Sequence, residues 1–540
     1  MGLFSTPRRA FRRAAQRLGR RAPHEVRGSL AAYDITALKH AMQQLHQQSC
    51  VGEHSPAWPS AEDFDDHDAL RKDPMPSGNW LSICPRVPRI FLPAGTLYMP
   101  PIDRLPTELL CLIFILSAHD PYERPYLNRT FVPFKLTHVC KLWRDIAVDM
   151  PPLWQRFELR PCVEKGSHRE LAKICAERAS GLGLVVAYHE LSVDEYDGSW
   201  FNDHTGLPRD IDFCDCPMDF IIEYIDQIKY LDISIGENSI LRLVDEVDGP
   251  VPKLERLSMT FYCDLPDPEI LANLYSGPKL VDLFWSANEC GRDVPHMVEC
   301  PDAPWRQLVE LELLDCPLTL DMFMDILEDA PLLQRVFTQV DCQSPVTIQN
   351  QGPIRHDALR DLTVKGDGPL DVVFSAYSFP ALRKLALWGI KSPYDPDPPG
   401  WPFWQPDLLL QVVGQAERGL ERLHLDACGT INESMLIDCL RLPQMSTLLK
   451  LTISTTEPVI TQRLITLFDP ATSDSVLLPS LEQLILEGCA TEDGVIAEML
   501  LARRAKTDKL RYVLVDYDSG TWAYPRLRDE EVIEEFFEPY

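Results

Sequence analysis

The chain has 540 residues, 45% hydrophobic and 25% charged, a composition that fits a globular protein with a large core and roughly three to four domains. No apolar run approaches the ~18 residues that a membrane helix needs. The 81 acidic and 52 basic residues leave a formal charge of −29, which argues against nucleic-acid binding through a generally basic surface.

Residues 1–33 are read as a basic disordered tail. Residues 1–30 hold eight Arg against one acidic residue, a net +7, so residues 31–540 carry −36. The start MGLFST fits a myristoylation pattern at Gly2 and Thr6, and the Arg-rich run is also compatible with a presequence or a nuclear address. Residues 34–101 form a short amphipathic helix, with Ile35, Leu38, Met42 and Leu45 on one face, and then a Pro-rich, acidic linker. No C-x-x-C occurs among the 16 cysteines, so a zinc site lacks its ligand spacing. The thiols read as reduced and buried in a cytoplasmic or nuclear protein.

Residues 102–159 are a small helical module. Pro106 suits a first helical turn, Glu108 favours the positive helix end, and an unbroken apolar run covers 109–116. A second helix is expected to carry Leu136, Val139, Cys140, Trp143 and Ala147 on one face. A helix that is apolar on every side must be covered on every side, and so short a module cannot cover this one. One face is left for the rest of the chain or for another protein.

The order Leu105-Pro106-x-Glu108-Leu109-Leu110, Ile113-Phe114, Val139-Cys140-Lys141-Leu142-Trp143-Arg144-Asp145-Ile146-Ala147 and Pro152-Leu153-Trp154 resembles an F-box, and its long 118–133 loop looks like the fungal type. The resemblance implies docking on the adaptor subunit of a cullin–RING (SCF-type) ubiquitin ligase. It divides Leu105, Pro106, Leu109, Leu110, Ile113, Phe114, Val139, Leu142 and Trp143 between the adaptor interface and the module's own core.

Residues 160–227 are expected to bridge to the next domain with degenerate repeats. From 228 to 517 the spacing L-x-x-L-x-L recurs, with first positions Ile228, Leu254, Leu280, Leu308, Leu333, Leu359, Leu382, Leu420, Leu448, Leu481 and Leu510. Intervals of mostly 23 to 29 residues are the signature of leucine-rich repeats. Cys316, Cys428, Cys489 and Asn288 occupy the turn position eight residues after the first leucine. One strand and one helix per unit predict an α/β solenoid with a parallel concave sheet and helices on the convex side. Residues 518–540 are an acidic C-terminal tail.

No phosphate-binding loop, nucleophile elbow or H-E-x-x-H helix occurs, and no metal or cofactor is expected. The expected function is target recognition for the ligase, with no catalysis by the chain itself. An unknown protein target would bind the exposed strand positions and an aromatic insertion; the candidates are Glu310, Glu312, Arg383, Trp401, Trp404, Arg422, His424 and Gln483. Two other readings stay open: a scaffold outside any ligase, in which the helical module only caps the solenoid, and an enzyme of unrecognised geometry.

Overall fold

The computed structural model describes residues 105–118, 126–127, 131–160, 167–190, 214–261, 272–286, 304–342, 353–366, 368, 370–389, 406–426, 432–455, 460–470, 477–506, 509–517 and 527–534. The basic tail, the 34–101 segment, Asn288, Cys428, Trp401 and Trp404 lie outside them.

Three short helices open the described chain: α1 (Thr107–Ala118), α2 (Val132–Val139) and α3 (Lys141–Val148). Pro106 starts α1 without spending an amide, and its carbonyl accepts from Leu109 N at 3.0 Å and Leu110 N at 3.2 Å. The single expected second helix is in fact two, because Cys140 is extended (φ −156°, ψ 172°) and turns the chain between α2 and α3. Arg144 Nε donates to the Thr137 carbonyl at 2.7 Å and closes that corner. The break turns Val139 and Cys140 outward, so the helical spacing that placed them with Leu136 and Ala147 does not hold.

The chain then enters a 14-stranded sheet in the order β1 (Arg156–Leu159), β2 (Leu184–His189), β3 (Ile228–Ile235), β4 (Arg256–Phe261), β5 (Asp282–Ser286), β6 (Glu310–Thr319), β7 (Arg335–Asp341), β9 (Asp361–Gly366), β11 (Lys384–Gly389), β12 (Arg422–Asp426), β13 (Lys450–Ser454), β15 (Gln483–Ala490), β14 (Ile460–Thr461). β16 (Tyr512–Tyr517) also pairs with β15, while β8 (Ile354–Arg355) and β10 (Tyr377–Ser378) form a separate pair. Every strand pairing in the large sheet is parallel among the described residues. The sheet therefore starts inside the helical module, two strands before the first L-x-x-L-x-L unit. The apolar run at 184–188 is β2, and the helical stretch near 168–180 is α4 (Ser167–Ala179).

The register explains the leucine spacing. Leu257, Leu283, Leu311, Val336, Leu362, Leu385, Leu423, Leu451, Leu484 and Val513 are matched in turn across adjacent strands. Val336 and Thr338, the loose copy, are as buried as the leucines they replace. Just ahead of each strand, one carbonyl takes amides from the next unit, as Val281 O does from Val309 N at 2.8 Å and Glu310 N at 3.1 Å. Parallel strands need long crossovers, and here helices supply most of them.

Those helices are α5 (Cys216–Tyr224), α6 (Glu237–Glu246), α7 (Ala272–Tyr275), α8 (Leu320–Asp329), α9 (Asp371–Ala376), α10 (Pro406–Gly414), α11 (Glu433–Leu440), α12 (Gln462–Phe468) and α13 (Val495–Lys506). Leu320, Phe323, Ile326 and Leu327 of α8 are buried as their spacing predicts, and Thr319 caps the helix by accepting from Met322 N at 3.3 Å. Cys316 and Cys489 are buried, but they lie within β6 and β15, at the irregular part of each strand where the register shifts, rather than at a turn beyond it. One apolar cluster runs from Leu110 of α1 to Ile533 of α14 (Leu527–Glu534).

Thr491, Glu492 and Asp493 precede α13, and the amide of Ala497 in its first turn donates to Asp529 Oδ1 of α14 at 2.7 Å. Asp493 in turn accepts from Asp529 N at 3.1 Å. Part of the acidic tail is thus a buried helix cap.

Candidate functional site

Two surfaces stand out. The first is the helical hairpin. Leu110 and Phe114, four residues apart on α1, point inward, and the Phe114 ring meets Trp143 of α3 at 4.8 Å. Both are fully buried in the module's own core, so they fall on the core side of the division that the resemblance implies and not on the adaptor side. Leu105, Ile113 and Trp143 are half-buried, and Pro106 is exposed. Leu109 (45%), Val139 (57%) and Leu142 (46%) are exposed, together with Leu112 (41%), which the sequence reading had not singled out. Leu112 follows Leu109 by one helical turn, and that spacing was its signal. Burying such side chains is worth ~1.5–3 kcal/mol each. The hairpin therefore keeps apolar surface that its own chain does not use.

The second surface is the face of the sheet opposite the leucine row. On each strand, the residues flanking the buried leucines point outward. The register aligns Tyr230, Arg256, Asp282, Glu310, Arg335, Asp361, Lys384, Arg422, Lys450, Gln483 and Tyr512 into one row across the sheet. Glu312 and His424 belong to the next row. Glu310, Glu312, Arg422, His424 and Gln483 thus share one face, but strands are ~4.8 Å apart, so Glu310 and Arg422 are about 19 Å from each other. Arg383 lies just before β11, paired with Glu421 at 2.9 Å.

The first half of the row neutralises itself. Arg256 pairs with Asp282, Glu310 with Arg335 at 3.0 Å, Arg335 with Asp361 at 3.5 Å, and Lys384 with Asp361 at 2.6 Å. A groove of about 820 Å³ opens there, lined by residues from β1 to β7 that include Arg156, Tyr230, Asp232, Asp282, Phe284, Glu310 and Glu312. Asp282, Phe284 and Arg335 went unread in the sequence, although they hold the same strand positions as the candidates. Beyond Lys384, Arg422 and Lys450 make no ion pair with a described residue. Like charges opposed across strands are destabilising.

Burial is the main reason that the Asp282 carboxyl is pushed up from 3.8 to about 6; Arg256 opposes this, and Glu310 and Glu312 reinforce it. The folded state therefore keeps this proton up to about pH 6, and the unfolded state loses it near 3.8. Between those values the folded state binds more protons, so Asp282 makes stability fall as pH rises across that window. Asp282→Asn is expected to raise the thermal midpoint at pH 7.5 relative to wild type and to leave it little changed at pH 3.5. Midpoints at the two pH values check this.

Buried Cys175 and Cys439 have their thiols pushed up to about 12 by desolvation, which makes them poor nucleophiles. Among the described residues, no helix is long and apolar enough to cross a membrane.

The family model for the F-box-like domain matches residues 102–160. The helical hairpin is an F-box-like domain. It includes β1, so the F-box-like domain and the large sheet share a strand and a core. No curated protein matches the sequence. A chain in the crystal structure of the Rad7 and Elc1 complex in yeast is similar at 12% identity, over 78% of this chain and 87% of that one, with a TM-score of 0.36.

Proposed function

We propose that this protein is the substrate-recognition subunit of an SCF-type cullin–RING ubiquitin ligase. The F-box-like domain docks the adaptor through Leu109, Leu112, Val139 and Leu142, with Pro106 and the half-buried Leu105, Ile113 and Trp143 at its edge. The strand-and-helix units from 228 to 517 act as leucine-rich repeats, and their open strand face receives a target protein. The chain performs no chemistry; it raises the concentration of its target beside the ligase's charged conjugating enzyme. It works in the cytoplasm or nucleus. The observation that carries this reading is the F-box-like match on a hairpin whose outward leucines are uncovered.

The test is co-purification of the full chain with an SCF adaptor subunit. Leu109→Asp/Leu142→Asp is expected to lose the adaptor by at least tenfold. Both residues are exposed, so the unfolding midpoint should shift little, by about 0.5 kcal/mol or less per site. Adaptor retained by the folded double variant would defeat the ligase reading. A second reading draws on the strand shared between hairpin and sheet: the hairpin caps the sheet edge of a non-ligase scaffold. Wild-type protein that captures no adaptor, and loses stability when the hairpin is removed, would favour it.

A further inference from the structure

We propose that Arg422 and Lys450, on neighbouring strands β12 and β13, form a receptor for an anionic side chain on an extended target segment. This rests on the open strand face being the target surface.

The two residues are directly in register, one strand spacing apart. In the earlier strands of the same row every charged residue from Arg256 to Lys384 closes an ion pair with a neighbour, even though Asp282 and Glu310 lie side by side, and the series ends with Lys384 on Asp361 at 2.6 Å. At β12 and β13 the pairing stops. Arg422 and Lys450 face each other, with Lys384 on the other side of Arg422, and no carboxylate of the row stands between them. The chain has acids in excess, 81 against 52 bases, so sequence supply does not explain the omission. Folding gains nothing from the juxtaposition, whereas an incoming anion shared by both cations removes the repulsion and gains two charge-assisted hydrogen bonds.

The neighbouring acids do not quench the pair. Glu421 is held by Arg383 at 2.9 Å. Asp426 is four residues along β12 from Arg422, about 13 Å at strand rise and beyond the ~8 Å screening length at physiological salt. The same screening damps the long-range repulsion from the chain's overall charge of −29, so local pairing decides binding.

His424 completes the receptor. It lies one outward position beyond Arg422, and its ring is stacked on Trp388 of β11 at 4.2 Å and 16°. Burial lowers its pKa, with Lys450 pulling the same way and Asp426 and Glu487 opposing, so at neutral pH it is an uncharged ring. Its buried Nε2 has no hydrogen-bond partner among the described residues. The flat ring pair gives an extended peptide an apolar surface beside the cations. The anion is a carboxylate or a phosphorylated hydroxyl; both offer the oxygens that a guanidinium and an ammonium can share.

The experiment uses the full chain and three labelled nine-residue peptides with a common Gly-Ser frame and a central Glu-Gly-Glu, phosphoserine or Lys-Gly-Lys. Fluorescence anisotropy at 0.15 M salt is expected to show at least tenfold tighter binding of one or both anionic peptides than of the lysine peptide. The better anionic peptide identifies the source. Arg422→Glu/Lys450→Glu should abolish that preference, whereas Glu237→Gln at the exposed start of α6, away from the strand face, should keep it. In ligand-free protein, Lys450→Glu should raise the unfolding midpoint, because an attraction replaces a repulsion. Equal or undetectable binding of all three peptides by wild type, or an undiminished preference in the double variant, overturns the proposal. Adaptor co-purification on the same preparations keeps the two readings apart. Adaptor lost with peptide preference kept sinks only the ligase reading, and the reverse result sinks only this receptor.

Discussion

Trp154→Ala is expected to destabilise the F-box-like end of the molecule by about 3–5 kcal/mol, the range for emptying a fully buried aromatic site. Trp154 is fully buried just before β1 and is held on three sides. Its indole Nε1 donates to the Ala147 carbonyl of α3 at 2.8 Å, the Phe134 ring of α2 lies at 5.6 Å, and the Arg178 guanidinium of α4 sits 4.3 Å from the ring centre. One side chain therefore joins the hairpin helices to the first helix behind the sheet. Its removal leaves a cavity, takes one of several donors from the Ala147 carbonyl, which keeps Met150 N at 3.3 Å, and deprives Arg178 of a cation–π contact worth ~0.5–1 kcal/mol. Trp154→Phe keeps most of the packing and loses the indole hydrogen bond, so a cost of about 1 kcal/mol is expected. The damage should be local, because stacked strands contact mainly their nearest neighbours. Hydrogen exchange should speed up in α2, α3 and β1 and stay unchanged in β12 to β15. Uniform acceleration across the sheet would show that the hairpin and the distant strands unfold as one unit.

Much of this architecture could be read from one spacing. The first positions from Ile228 to Leu510 are all buried, and their partners at the fourth and sixth positions form the inward row. A strand with one buried face must alternate, and a stack must repeat, so both signals survive in the sequence. The same alternation placed Glu310, Glu312, Arg422, His424 and Gln483 on the outer face. Their ion-pair partners were not readable. Arg335 and Asp361 meet through register across unequal unit lengths, which no local pattern records. β1 escaped because RFEL is too short to show a period. The corner at Cys140 escaped because apolar spacing runs through it with no Gly or Pro to mark the turn. Leu110 and Phe114 were grouped with the docking residues because a run such as LLCLIFIL shows no polar side, and only the packing of Trp143 on Phe114 decides which face is inward.

At the other end of the sheet, Arg503→Leu is expected to cost about 3 kcal/mol or more, a loss that a solvent-exposed arginine would not show. Arg503 stands in the last turn of α13, the favourable place for a cation on a helix dipole and one usually open to solvent. The structure instead buries Arg503 to 1% exposure. Its guanidinium donates to the carbonyls of Leu477 at 2.9 Å, Phe468 at 3.4 Å and Leu478. Burial lowers its pKa to about 10, so it stays charged at neutral pH and bonds these oxygens as a cation. Leu478 needs that hold. It is buried with φ at 51°, a left-handed conformation that costs a bulky side chain roughly 1–2 kcal/mol. With Leu at 503 the carbonyls lose a charged donor and the strained turn loses its tie, while the apolar stem is largely replaced. Arg503→Lys should fall between the two, because an ammonium reaches fewer of the three oxygens. Urea denaturation of the three proteins orders them wild type, Lys, Leu in stability. A Leu variant within 1 kcal/mol of wild type would mean that the turn at Leu478 holds its shape without the arginine.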